Sequence, residues 1–82
     1  MNILPLRKDF EEYLKERRLT KKFNKQKRLF EENVFHPSLN MELLEPRQMH
    51  LYSFRIDRKY RAIFIFAVRE TIEVIDINNH YQ

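Results

Sequence analysis

The 82-residue sequence contains no glycine, no cysteine and no tryptophan. At the usual frequency of about 7%, a chain of this length would carry about six glycines. Their absence excludes a P-loop, a dinucleotide-binding fingerprint and a glycine-flanked nucleophile elbow. An EF-hand, which needs glycine at its sharp turn, is excluded as well. The absence of cysteine removes thiol catalysis and cysteine zinc sites, and it fits a reducing compartment. No apolar run approaches the roughly 20 residues of a membrane span, and the first residues lack a signal-peptide core. These absences lead to the expectation of a soluble, cytoplasmic protein with no membrane partner.

What is present is charge, unevenly placed. Residues 15–28 hold eight basic side chains against the single acid Glu16, whereas residues 39–82 balance six against six, within a formal net charge of +4. A concentrated basic stretch attracts polyanions, nucleic acid above all, or an acidic protein partner. A solvated helix face explains it equally well on composition alone. The length allows one domain, residues 1–82, with a thin core. There are no repeats, low-complexity tracts or linkers to suggest a second.

The hydrophobic period changes once, near His36-Pro37-Ser38. Before that point Phe10, Tyr13 and Leu14 form one helical stripe, and Phe23, Phe30 and Val34 form a second, widened by Leu29. Thr20 is the candidate cap of the second helix and Pro37 its expected stop. About two residues near Leu19–Thr20 join the helices, which implies an antiparallel hairpin. Ahead of them, Asn2–Leu6 suits only a brief edge strand, because Pro5 lacks an N–H donor. After the change, Tyr52, Phe54 and Ile56 alternate with polar residues. Residues 60–68 are apolar on both faces, as in a central strand, and 71–77 are rich in β-branched residues. A weaker strand covers 40–44. Two helices followed by a run of strands predict an α+β fold, with a helical hairpin on one face of a small, mostly antiparallel sheet.

One register follows from parity. If Tyr52, Phe54 and Ile56 share the core face with Ala62, Phe64 and Phe66, then Phe54 opposes Ala62. The loop is then Asp57-Arg58-Lys59, and Arg55 lies directly opposite Arg61. Like charges so placed repel, which suggests a bound anion or an intervening carboxylate. Arg55 could also pair with Asp57, Glu73 or Asp76. With Arg61 opposite Ile77 or Asn78, His80 lies two or three residues further on, roughly 7–10 Å by strand rise. Tyr81 follows it. Arginine suits phosphate recognition and histidine suits proton transfer near neutral pH. Arginine clamps and a general acid are what RNA cleavage by an attacking 2′-OH requires. Metal binding is not expected, because His36, His50 and His80 lack clustered ligand spacing. Against a catalytic role, a lone histidine is most often solvated, and Tyr60 and Tyr81 suit packing.

Four segments occur in order: Phe35-His36-Pro37-Ser38-Leu39, Leu51-Tyr52-Ser53-Phe54-Arg55-Ile56-Asp57, Tyr60-Arg61-Ala62-Ile63-Phe64 and Ile75-Asp76-Ile77-Asn78-Asn79-His80-Tyr81. Together they resemble the RelE/ParE superfamily of type II toxin–antitoxin toxins, on its RelE/YoeB-like ribonuclease side. The resemblance implies a twisted sheet with a helical hairpin on one face. It implies cofactor-free, metal-independent cutting of mRNA on the ribosome, neutralised by a cognate antitoxin. Arg55 and Arg61 match the phosphate-stabilising arginines, His80 matches a C-terminal general acid, and Tyr81 adjoins it. YoeB-like members carry a glutamate general base near the position of Pro37–Asn40. That segment holds Ser38 here, and Glu42 is the candidate substitute. Lys21, Lys22, Lys25 and Arg28 on the basic hairpin would face RNA. The alternatives within the superfamily are a non-catalytic toxin that inhibits DNA gyrase, and an inactive member that binds only nucleic acid or antitoxin.

Overall fold

A chain without glycine must still turn, and four non-glycine residues take positive φ in the computed structural model, which describes residues 1–79. Arg18 (φ 57°) shows how. Helix α1, Lys8–Glu16, ends when the Arg18 amide donates to the Lys15 carbonyl at 3.1 Å and the Leu19 amide to the Leu14 carbonyl at 2.8 Å. These two bonds are those of a Schellman closure, whose left-handed position glycine ordinarily fills. Helix α2, Thr20–Glu32, starts immediately afterwards. Thr20 is its first residue rather than its cap. Leu19 holds the cap position, and no side chain bonds to the free amides. Extended Asn33 ends the helix, so it stops before Pro37, and Val34 lies in the following turn.

Five strands form one sheet in the order β1-β5-β4-β3-β2. They are β1 (Asn2–Ile3), β2 (Glu42–Leu43), β3 (Tyr52–Arg55), β4 (Arg61–Phe66) and β5 (Thr71–Asn78). All pairs are antiparallel except β1 with β5. The strand that is apolar on both faces, β4, is the central one. Both edges are two-residue strands, which leaves little backbone open to stray pairing. Phe54 opposes Ala62 and Arg55 opposes Arg61, the register expected from the sequence. Arg61 opposes Asn78 on its other side.

The helices cover one sheet face. Phe30 is fully buried between Phe54 and Phe64, with ring centroids 5.4 Å from each. Phe10, Leu14, Leu19, Phe23 and Ile72 belong to the same core. Phe66, at the far end of β4, stays 48% exposed, edge-on to the rings of Tyr52 and Phe64. On the opposite face Ser53, Arg61, Ile63 and Leu44 are buried without joining the main core. That second, smaller buried layer holds the polar site.

Candidate active site

The hairpin between β3 and β4 closes without glycine because a carboxylate supplies the missing geometry. Asp57 Oδ1 accepts from the amides of Lys59 and Tyr60, both at 2.8 Å. The Tyr60 carbonyl accepts in return from the Ile56 amide at 2.9 Å. Burial works against ionisation of Asp57. The two amide bonds, followed by Lys22 at 3.4 Å, outweigh it and hold the carboxyl below its ordinary range. This loop sets Arg55 and Arg61 opposite each other at the strand ends.

The two cations set opposite each other differ in their surroundings. Arg55 is exposed and has no ion-pair partner among the described residues. Asp57 is engaged with Lys22 and its own loop. Asp76 accepts from the Ile77 amide and the Asn78 side chain. Arg61 instead lies back across β3 and is only 4% exposed. Its Nε donates to Ser53 Oγ at 2.9 Å. Its Nη2 donates to the Asn40 carbonyl, and more distantly to the Ser53 carbonyl at 3.4 Å. Asn40 presents that carbonyl from a left-handed conformation (φ 43°), which asparagine tolerates better than most residues.

Glu42 opposes Ser53 on the edge strand, which brings its Oε1 to 4.0 Å from Arg61 Nη2. Its side chain is 43% exposed, so as an ion pair the contact is weak, about 0–1 kcal/mol. Burial lowers the pKa of the Arg61 guanidinium, Glu42 opposes that shift and Arg55 adds to it. Arginine starts high enough to keep its charge. Arg61 is thus a fixed cation whose Nε and Nη2 bond to the protein. Nη1 has no hydrogen-bond partner among the described residues. With Nε and Nη2 both engaged, the guanidinium has no free bidentate edge.

Gln26 is a residue that the apolar stripe of α2 hides. It is 6% exposed, on the helix face between Phe23 and Phe30. Its Nε2 donates to the Ser38 carbonyl at 3.0 Å and to the Arg55 carbonyl at 2.8 Å. Ser38 Oγ donates back to Gln26 Oε1 at 3.4 Å. One amide thus joins the helical layer to the turn leading into Asn40 and to the strand end bearing Arg55. The sequence signal was a lone amide at a position where helical period demands an apolar side chain. Ser53 was missed for a similar reason: an alternating strand reads its hydroxyl as solvated.

Arg55, Arg61 and Glu42 are thus together on one sheet face. Lys21, Lys25 and Arg28 form an exposed stripe of α2 at i, i+4 and i+7, opposite Phe23 and Phe30, and so point away from the sheet and from those arginines. Lys22 flanks the stripe and is tied to the arginine hairpin through Asp57. His80 and Tyr81 lie outside the described residues. Among the described residues, no group of three or more His, Cys, Asp or Glu side chains is placed to hold a metal ion. No described helix is long and apolar enough to cross a membrane.

The sequence matches no family model and no curated protein. Solved structures do resemble it over nearly its whole length. A YoeB/ParE toxin from Agrobacterium tumefaciens is 22% identical, with 99% of this chain and 100% of that chain covered and a TM-score of 0.71. The YoeB-YefM toxin-antitoxin heterotetramer from Staphylococcus aureus contains a chain 19% identical, with 98% and 94% covered and a TM-score of 0.68. At these identities the likeness is one of fold. The helical pair against a five-stranded, mainly antiparallel sheet is the RelE-like α+β fold that YoeB/ParE toxins share.

Proposed function

We propose that this protein is the toxin of a toxin–antitoxin pair and an endoribonuclease that cuts mRNA on the ribosome without a metal. The observation that carries this reading is the grouping of a buried, fixed guanidinium (Arg61), an exposed second one (Arg55) and a half-exposed carboxylate (Glu42) on one sheet face. Its chemistry balances without a cofactor. Glu42 accepts the proton of the ribose 2′-OH, the 2′-oxygen attacks phosphorus, and a 2′,3′-cyclic phosphate forms. The bond to the 5′-oxygen breaks, and His80 donates the proton that this leaving group needs. Charge builds on the phosphorane oxygens between these steps, where Arg61 Nη1 and Arg55 stabilise it. Tyr81 adjoins His80 in sequence and is assigned an auxiliary part beside it. Lys21, Lys22, Lys25 and Arg28 provide salt-sensitive attraction to ribosomal RNA.

The fold shared with a toxin solved in complex with its antitoxin supports a cognate antitoxin as the inhibitory partner. The test is induction of the wild type and of Arg61→Ala, Glu42→Gln and His80→Ala, with mRNA ends mapped on ribosomes. The expected outcome is growth arrest with cuts within translated frames, lost by at least 100-fold in folded Arg61→Ala. Undiminished toxicity in all three folded variants, without mRNA cuts, would refute nuclease action and favour a toxin that acts by binding, such as a gyrase inhibitor.

A further inference from the structure

The segment that carries Asn40 and Glu42 to the arginines begins with a feature that the cleavage chemistry does not use. Phe35 is 82% exposed and takes no part in the core cluster. An isolated exposed phenylalanine is ordinary. This one lies on an ordered turn beside an open groove lined by Val34, Phe35, His36, Pro37, Asn40 and Met41. Asn33 shapes the turn: its Oδ1 accepts from the Phe35 amide and its carbonyl from the His36 amide, each at 3.0 Å. His36 is oriented too. Its Nδ1 accepts from the Ser38 amide at 3.1 Å, so in that arrangement Nε2 carries the ring proton and is the nitrogen left to donate to a ligand.

The groove adjoins the polar site through one residue. Asn40 lines it, and the Asn40 carbonyl receives Arg61 Nη2. Asn40 thus joins a groove that offers an exposed aromatic ring, the apolar side chains Val34, Pro37 and Met41 and an imidazole to the segment that holds Arg61. Single-stranded RNA is commonly recognised by this combination, with unstacked bases laid on aromatic rings and their edges hydrogen-bonded. The open form suits a flat ring, and the guanidinium bonded to Asn40 suits its phosphate.

We propose that the groove at residues 34–41 is a nucleobase subsite. In it one base of single-stranded RNA stacks on Phe35 and accepts a hydrogen bond from His36 Nε2 while the adjoining phosphate lies on Arg61. This rests on the RNA-cleaving reading and adds a substrate contact to it. His36 then favours bases that present an acceptor edge, and Phe35 supplies affinity with little regard to sequence.

The test uses the full chain and a short single-stranded RNA carrying 2-aminopurine beside a 2′-O-methyl nucleotide, which cannot be cut. Binding should quench the fluorophore. Phe35→Ala should weaken binding by about 5- to 100-fold and abolish the quench, and Phe35→Tyr should restore both. In a translation extract Phe35→Ala should also flatten the base preference beside the cut, and His36→Ala should change it. Unchanged affinity, quench and cut-site preference in Phe35→Ala would overturn the subsite while leaving the nuclease reading intact. If Phe35→Ala instead weakened only the complex with the antitoxin, the groove would be a protein contact and the proposal would fail. No RNA binding and no cutting by the wild type would overturn both readings together.

Discussion

Arg61 carries a full charge into a nearly closed position, and its neighbours explain how. A buried cation is tolerable only with close acceptors, and here these are one hydroxyl, two backbone carbonyls and a carboxylate at the limit of ion pairing. Lysine is a point charge and cannot reproduce this fork. Arg61→Lys should therefore lower stability by about 1–3 kcal/mol in urea denaturation and cut RNA cleavage by about 100-fold or more. Asp57 acts at the same scale on the backbone. Asp57→Ala releases the amides of Lys59 and Tyr60 and should cost about 1–2 kcal/mol at neutral pH. The folded carboxyl is depressed below its ordinary value, so its contribution is fully present above the unfolded value, near about 4, and is lost as pH falls through the folded one. The stability gap between wild type and Asp57→Ala should accordingly narrow in acid denaturation below about pH 4.

The elements show how a chain without glycine closes its turns. Arg18, Asn40, His50 and Glu70 all take left-handed backbone, and each carries a Cβ that opposes it. Arg18 closes α1, where its side chain is exposed and its conformation is one that glycine adopts freely. Arg18→Gly should stabilise the protein by about 0.5–1 kcal/mol, seen as a higher denaturation midpoint at unchanged slope. A decrease would mean that the arginine side chain holds the hairpin in a way its exposure does not suggest. Asp57 supplies a different solution, since its carboxylate replaces the left-handed residue that a short β3–β4 loop would otherwise need.

At the scale of the whole molecule, the site is assembled from both layers. The helices pack on one sheet face and the arginines lie on the other, so little of the helical layer meets the site directly. Gln26 and Lys22 are the links, one through two backbone carbonyls and the other through Asp57. Gln26→Leu preserves volume and removes both donors. It should fold, lose about 1–3 kcal/mol, and show faster amide hydrogen exchange at Leu39 and Asn40 than at the β4–β5 ladder. Uniform loosening across the sheet would instead make Gln26 an ordinary packing residue.

The hydrophobic periods alone determined the α+β class, the helical hairpin, the central place of β4 and the Phe54–Ala62 register, because each depends on local alternation and burial. They also put Arg55 and Arg61 on the same face, since parity forbids Phe54 from opposing Arg61 once the core face is chosen. Periodicity could not show where helix α2 stops. Asn33 ends it by turning extended, four residues before the proline that marks the break in sequence. Nor could it reveal Gln26, Ser53 and Asn40 as the partners of the site, because these contacts join residues 8 to 29 positions apart. Only the packed structure decided that Arg61 bonds to Ser53 and Asn40. Its partners come from β3 and from the edge segment, so that position exists only once the edge segment has folded against the sheet.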